Sequence, residues 1–399
     1  MRNVIGAPID HDYLFNQESV IDRIWQRVED QHVTLLSPRK FGKTSILLHL
    51  EQPPRDSWTT VLLDVSYLHS PEEFIGYMLG ALASKYNWIH TAWQRVKQLP
   101  QTVQHLVAQT EVGVEPSESG AKFTLALRDA EETDWQTTAA ALLRELDALP
   151  EKRRLLILID EMGKMLELMS DNNRQQDARA LMSWFKTIRS GMSGHLQNVR
   201  FVIASSIGID RLVNKLGMPD AVEDLFPIYI DALPHDQACE LFRQLAAAYD
   251  IETEPGVWEQ ATELLGGGVP EFIQMFFSEI RDLPQPITRQ HLDEIYEQRL
   301  LGTRWRRSFV EYIDRFDRYG TDIRNLLVAL LVTVARDGSA TRDQLEAVYN
   351  QRRGAKADPI EFSEYLADLQ ADFYLRLEEG HYVFTVTILR SWILRYYGG

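Results

Sequence analysis

Apolar residues between positions 17 and 233 follow two patterns that alternate along the chain. Stretches with apolar residues three and four positions apart, as in QESVIDRIWQRVED, are separated by short continuous apolar runs. The runs are HVTLL, TTVLLDVS, RRLLILIDE, NVRFVIASS and FPIYIDAL. Continuous runs are typical of strands buried on both faces, and strands that alternate with helices predict an α/β domain built on a parallel sheet.

The segment from residue 86 to residue 133 fits this pattern poorly. It contains EVGVEPSESGAKFTLAL, in which turn-forming residues precede an alternation of apolar and polar positions. Period-two alternation is typical of strands. We therefore expect either a small hairpin or a mobile insertion here.

From about residue 234 the strand signals stop and helical spacing takes over. Four helices are predicted in PHDQACELFRQLAAAY, PGVWEQATELL, PEFIQMFFSEIRDL and TRQHLDEIYEQRLL. After residue 320, three further helices precede a hairpin candidate around Glu379-Gly380 and a closing helix. Three helices followed by a hairpin are typical of a winged helix.

Charge and cysteine content narrow the possible partners and compartments. The net charge is −16, yet residues 301–399 hold 14 Lys/Arg and 14 Asp/Glu, so any DNA contact is expected in that neutral part. The single cysteine, Cys239, excludes an internal disulfide and a Cys-based zinc site. No apolar run approaches the roughly 20 residues of a membrane span, and we expect a cytoplasmic protein without membrane contact.

The loop after the first predicted strand has the spacing of a phosphate-binding loop. Ser37 stands where the first glycine of that loop belongs, and Gly42-Lys43-Thr44 follow at the required distance. Lys43 would reach the β- and γ-phosphates of ATP, and the Thr44 hydroxyl would ligate Mg²⁺. The alternative is a turn that carries Gly-Lys-Thr by chance. The candidate nucleotide-binding residues of the loop are Ser37, Pro38, Arg39, Lys40, Phe41, Gly42, Lys43, Thr44 and Ser45.

Two later strands end in polar residues that suit the same site. Asp160 and Glu161 end the run LLILIDE, where Asp160 would hold Mg²⁺ and Glu161 would polarise the attacking water. Ser205 and Ser206 end the run VRFVIASS and would sense the γ-phosphate. The alternatives are that Asp160-Glu161 is an acidic strand end by chance and that the two serines make only local turn hydrogen bonds. The lysine loop followed by LLILIDE, each on a predicted strand, favours a nucleotide site.

These motifs together resemble the STAND-type ATPases related to AAA+ proteins, in the group often called archaeal-type ATPases. The resemblance runs from LFNQESVIDRIW through SPRKFGKTS, LLILIDE and VRFVIASSIGID to GGGVPEFIQ. It implies a P-loop ATPase domain over residues 1–232, a helical lid over 233–300, and a linker helix and winged helix over 301–399. It also implies that Pro270 lies near the adenine. Asn16 and Gln17 replace the Gly-Arg of the family's entry signature.

The resemblance predicts a slow ATPase that acts as a regulatory switch. ATP and Mg²⁺ would control self-association or the binding of a partner protein, possible settings being conflict or phage defence. One alternative is a DNA-engaging ATPase akin to origin-recognition or transposition regulators, and another is a nucleotide-binding scaffold that barely hydrolyses. An arginine finger is not assigned among Arg189, Arg200 and Arg211, which all lie near the predicted sensor strand.

Overall fold

The structure of the chain is a computed structural model. The structure describes residues 1–8, 14–38, 40–52, 55, 57–94, 96, 100–109, 115–128, 134–149, 154–171, 174–190, 196–205 and 209–398. The chain divides into two compact units. The first unit is Asp10–Ile230, and the second combines Met1–Ile9 with Asp231–Gly399.

In the described part of the first unit, five parallel strands form one sheet. Their order across the sheet is β2-β3-β4-β1-β5, which places β4 between β1 and β3. The core of β3 is buried from Leu155 to Ile159, as expected for a strand covered on both faces. The parallel α/β prediction is confirmed. The strands are β1 His32–Leu36, β2 Trp58–Asp64, β3 Arg154–Asp160, β4 Val199–Ser205 and β5 Leu225–Tyr229.

Helices connect these strands, as parallel pairing requires. Helix α2 follows the loop after β1, and α8 follows β3. The helices are α1 Glu18–Val28, α2 Lys43–Glu51, α3 Pro71–Lys85, α4 Asn87–Trp93, α5 Gln101–Gln109, α6 Pro116–Arg128, α7 Trp135–Asp147, α8 Met162–Asp171, α9 Gln175–Ser190 and α10 Ile209–Lys215.

The segment expected to be a hairpin or a mobile insertion is helical where it is described. Its alternating part forms α6, so the hairpin prediction is wrong there; residues 110–114 lie outside the described residues. Helix α6 packs so closely on α3 that a Cβ on Gly80 would lie 2.4 Å from the Gly120 nitrogen. A Cβ on Gly76 would lie 2.2 Å from Thr124 Oγ1. Glycine, a poor helix former, is used here for close helix packing, which local sequence does not show.

The second unit contains the four helices predicted after residue 234. Pro270 occupies the first turn of α13, where its missing N–H costs nothing. Helix α14 begins at a Thr288 capping box and continues as a π-helical turn, Ile295–Leu300. The helices are α11 His235–Ala248, α12 Val257–Leu265, α13 Pro270–Arg281 and α14 Arg289–Glu294.

A buried carboxylate ties α13 to the segment that follows. Glu279 is fully buried and accepts hydrogen bonds from Trp305 Nε1 at 2.8 Å and from Arg304 at 3.2 Å. Arg299 lies 3.5 Å from the same carboxylate. A buried charge of this kind depends on its partners, because removal of the partners would leave it uncompensated.

The last part of the chain holds five helices and a small sheet within residues 306–397, all of which are described. The predicted hairpin is present, with Glu378 opposite His381 and a two-residue turn in which Glu379 and Gly380 both have positive φ. The elements are α15 Arg306–Asp314, α16 Thr321–Asp337, β6 Ala340–Thr341, α17 Arg342–Arg353, α18 Pro359–Ala371, β7 Leu375–Glu378, β8 His381–Phe384 and α19 Thr387–Tyr397.

The small sheet is antiparallel, in the order β6-β8-β7. The winged-helix assignment of the last part of the chain stays a prediction. The three-domain division at residues 232 and 300 stays a prediction as well. In the described residues we find no helix with both the length and the apolar character that crossing a bilayer requires.

Candidate functional site

The loop between β1 and α2 turns sharply before the helix begins. Lys40 and Gly42 have positive φ, 74° and 86°. Gly42 occupies the N-cap position of α2 in the left-handed conformation, and within the described residues no side chain caps this helix start. The start of a helix, reached through a left-handed glycine, is the geometry that receives a phosphate. Phe41 is buried and anchors the loop, and Ser45 is buried in α2; Arg39 lies outside the described residues.

The Lys43 ammonium group lies against the first residues of the loop. Lys43 is only 6% exposed. Its Nζ donates to Ser37 O at 2.6 Å, to Pro38 O at 2.7 Å and to Ser37 Oγ at 3.1 Å. The Ser37 hydroxyl in turn donates to Pro38 O at 3.0 Å. The Lys43 ammonium group, which the sequence predicts to bind phosphate, is therefore held by the first residues of the loop.

A hydrogen bond joins the two motifs that are far apart in sequence. Thr44 Oγ1 donates to Asp160 Oδ2 at 2.6 Å. The other oxygen of the same carboxylate, Oδ1, accepts the Glu161 N–H at 3.0 Å. A hydroxyl and a carboxylate are thus in contact at the C-terminal edge of the sheet, beside the loop. These are hard oxygen ligands of the kind that Mg²⁺ prefers.

The Asp160 carboxylate lies in an environment that disfavours its charge. Burial raises the pKa of Asp160 to about 6, while the hydrogen bond from Thr44 lowers it. The carboxylates of Glu161 and Asp64 contribute to this rise in the pKa, and Lys43 opposes it. A buried carboxylate beside two others is stabilised by an added cation.

Glu161 has a backbone conformation that is uncommon for a residue with a side chain. Its φ is +60°, in the left-handed region, and its carbonyl accepts the Met165 N–H at 3.2 Å as α8 begins. This conformation costs roughly 1 kcal/mol or more for a residue other than glycine. Such strain is found most often at functional sites.

Ser205, the predicted sensor, is the last residue of β4. It is buried and pairs in register with Leu36, the residue before the loop. Because β4 lies between β1 and β3, Ser205 ends its strand between the two motifs. Ser206 lies outside the described residues.

Sequence reasoning missed Asp64. This residue ends β2 directly opposite Asp160, in the parallel register of the two strands. The run TTVLLDVS carried a signal, since like LLILIDE it is an apolar strand that ends in an aspartate. Only the pairing of β2 with β3 brings the two carboxylates to the same place.

The remaining sequence candidates are Pro270 and three arginines, and the place of Pro270 near the adenine stays a prediction. Pro270 begins α13 in the second unit. Arg189 is buried and bonds to Asp224 at 2.8 Å, and Arg200 is buried and donates to the Leu196 carbonyl. Both arginines hold the first unit together, which disfavours them as fingers; Arg211 is partly exposed.

The residues of this site fit a nucleoside triphosphate with Mg²⁺. The donor set is one buried lysine, one hydroxyl and one buried carboxylate. Among the described residues no group of three or more His, Cys, Asp or Glu could hold a metal alone. Mg²⁺ commonly binds through one or two protein oxygens, water and the phosphates of its nucleotide, so this sparse set suits it.

No protein-family model matches the chain, and no curated protein sequence matches it either. Solved structures do. A Walker-type ATPase of Pyrococcus abyssi is 15% identical and superimposes with a TM-score of 0.66 over 98% of this chain and 99% of that one. The chain therefore shares the fold of that ATPase structure. The Aeropyrum pernix ORC2 protein, solved as ADPNP–ADP complexes, is 10% identical with a TM-score of 0.52 over 99% of this chain and 97% of that one.

Proposed function

We propose that this protein is an ATP-binding and ATP-hydrolysing regulatory switch of the STAND type. The observation that carries the proposal is the Thr44–Asp160 hydrogen bond, beside the buried ammonium of Lys43. It brings the hydroxyl of one motif and the carboxylate of the other to a single point. The fold shared with a Walker-type ATPase supports it.

Each residue has a distinct task in this proposal. Bound MgATP supplies the phosphoanhydride bond and the divalent charge that neutralises its phosphates. Lys43 would bind the β- and γ-phosphates, and Thr44 and Asp160 would hold Mg²⁺. Glu161 would orient the attacking water, and Ser205 would report the γ-phosphate from β4. Because phosphoryl transfer depends mainly on positioning, we expect slow turnover unless a partner completes the site.

We infer that the nucleotide state is passed to another protein chain, in self-association or in partner binding. The helix, strand and hairpin order of residues 321–397 supports a winged-helix domain as the output. Helix α18, which directly precedes the hairpin, contains Glu361, Glu364 and Asp368 and neither lysine nor arginine. A helix that inserts into a DNA groove uses cations against phosphates, so this composition favours a protein partner.

The DNA-engaging alternative keeps one supporting observation, the likeness in fold to an ORC2 protein. DNA affinity that falls steeply with salt would favour it. Roles in conflict or phage defence and a cytoplasmic location are proposals that rest on the sequence resemblance.

Nucleotide binding and turnover test the site directly. Lys43→Ala should lose ATP binding, measured by calorimetry, while Glu161→Gln should bind ATP and release phosphate about 100-fold more slowly or worse. Lys122→Ala, which removes an exposed lysine of α6 that pairs with Glu118, is the matched control and should behave as wild type. Wild-type ATP affinity in Lys43→Ala would refute the site.

Particle mass in solution tests the switch. Glu161→Gln should assemble with MgATP, and Lys43→Ala should not. If Glu161→Gln binds ATP but stays monomeric, self-association is excluded. The output must then be a partner protein, or DNA if salt-sensitive binding is found.

A further inference from the structure

The serine that replaces the first glycine of the loop contacts the lysine of the same loop. Ser37 Oγ lies 3.1 Å from Lys43 Nζ, and its own proton is donated to Pro38 O at 3.0 Å. The hydroxyl therefore presents its lone pairs to the ammonium group. A glycine at this position has no side chain to do this.

The ammonium group has three N–H donors, and among the described residues of the loop three oxygens lie within hydrogen-bonding distance of it. The carbonyls of Ser37 and Pro38 are at 2.6 and 2.7 Å, and the Ser37 hydroxyl is the most distant of the three. A phosphate oxygen that binds Lys43 must replace at least one of them. The longest contact, to a rotatable hydroxyl, is the one most easily exchanged.

We propose that Ser37 is a positioning residue that competes with phosphate for Lys43 and thereby weakens nucleotide binding. The inference rests on the proposed function and adds a regulatory element to the same site. Ser37 holds the ammonium inside the loop until a triphosphate displaces the hydroxyl. The nucleotide affinity then depends on how much more strongly the Lys43 ammonium binds a phosphate oxygen than the Ser37 hydroxyl.

Removal of the hydroxyl should tighten nucleotide binding. Ser37→Ala keeps both carbonyl contacts and removes only the competing oxygen, so the Kd for MgATP should fall about fivefold to tenfold. Ser37→Thr keeps a hydroxyl and should bind ATP as wild type does. Affinity for adenosine should not change in either variant, because adenosine does not engage Lys43.

The direction of the effect separates this role from a structural one. A serine needed only for loop shape would weaken binding when replaced, whereas a competitor strengthens it. The KM for ATP should fall in Ser37→Ala with little change in kcat, because the hydroxyl stabilises the nucleotide-free enzyme and so opposes the bound substrate and the transition state equally. Ser190→Ala, which removes an α9 hydroxyl bonded to the Lys186 carbonyl, is the matched control.

The experiment is calorimetric titration of MgATP, inorganic triphosphate and adenosine into each full-length variant. Tighter binding of ATP and triphosphate to Ser37→Ala alone supports the inference. Unchanged or weaker binding to Ser37→Ala, in a protein whose ATP binding still requires Lys43, overturns it and leaves the proposed function intact. Absence of Lys43-dependent ATP binding in the wild type overturns both.

Discussion

Replacement of Asp160 by asparagine should make the protein more stable, although it removes a residue that the proposed function needs. The asparagine keeps the shape of the side chain: its oxygen accepts the Glu161 N–H, and its amide donates to the Thr44 hydroxyl. What disappears is the negative charge, which in the folded chain is buried beside Glu161 and Asp64.

The size of the effect follows from the pKa of Asp160, raised from 3.8 to about 6 chiefly by burial. The folded state therefore holds this proton more tightly than the unfolded state, and stability falls as pH rises from about 4 to above 6. A shift of about two units corresponds to about 3 kcal/mol at neutral pH. Since asparagine is not a perfect replacement, we expect Asp160→Asn to gain about 1 to 3 kcal/mol there.

Hydrogen exchange of the β1 and β3 amides during urea unfolding measures the first unit alone. In metal-free buffer at about pH 8, Asp160→Asn should unfold at higher urea than wild type, and at about pH 4.5 the gain should shrink to roughly a third. With MgATP the wild type should unfold at higher urea than Asp160→Asn, because only the wild type retains the Asp160 carboxylate and is fully stabilised by ligand binding.

Asp64→Asn is the control, since Asp64 ends the neighbouring strand but is exposed. It should change stability by only a few tenths of a kcal/mol. An Asp160→Asn protein no more stable than wild type in metal-free buffer would refute the reasoning. So would a gain that does not depend on pH.

Three further changes test other features. In urea unfolding, Glu161→Gly should be about 1 kcal/mol more stable than Glu161→Ala, because φ is +60° at this position. A Glu161→Ala protein as stable as Glu161→Gly, or more stable, would contradict the backbone strain. Gly80→Ala should lower the free energy of unfolding by about 2 kcal/mol despite alanine's higher helix propensity, because the new Cβ would lie 2.4 Å from the Gly120 nitrogen. An unchanged urea midpoint would contradict the close packing of α3 on α6. Glu279→Ala should destabilise the second unit by about 1 to 3 kcal/mol, because Trp305 Nε1 loses its acceptor, and the urea midpoint in exchange of its amides should fall. Exposed Glu263→Ala should not have this effect, and equal effects would disprove the role of the buried carboxylate.

The parallel sheet and the strand–loop–helix arrangement of the candidate phosphate loop were predictable because each has a strong local cause. A strand such as β3, buried on both faces, must be apolar at successive positions, and this is visible in LLILI without knowledge of its neighbours. The spacing of Gly42, Lys43 and Thr44 is likewise set by one strand, one turn and one helix.

Other features depend on contacts that local sequence does not contain. The sequence of helix α6 resembled a hairpin because turn-forming residues, Gly120 among them, precede an alternation of apolar and polar positions. The close packing of Gly120 against Gly80 explains that glycine. Asp64 joins the site through the register of β2 with β3. The left-handed backbone of Glu161 is invisible in sequence, since glutamate does not usually mark that conformation.

The position of β1 in the sheet has a consequence for how the protein is made. Its two neighbours are β4 and β5, so the strand that carries the phosphate loop pairs with residues that the ribosome delivers last in this unit. Until then both edges of β1 lack partners, and such edges attract other chains. Loop closure over this distance also slows folding. The proposed nucleotide site therefore forms only when the sheet is complete, and if the protein binds ATP as proposed, ATP would stabilise finished chains and not fragments.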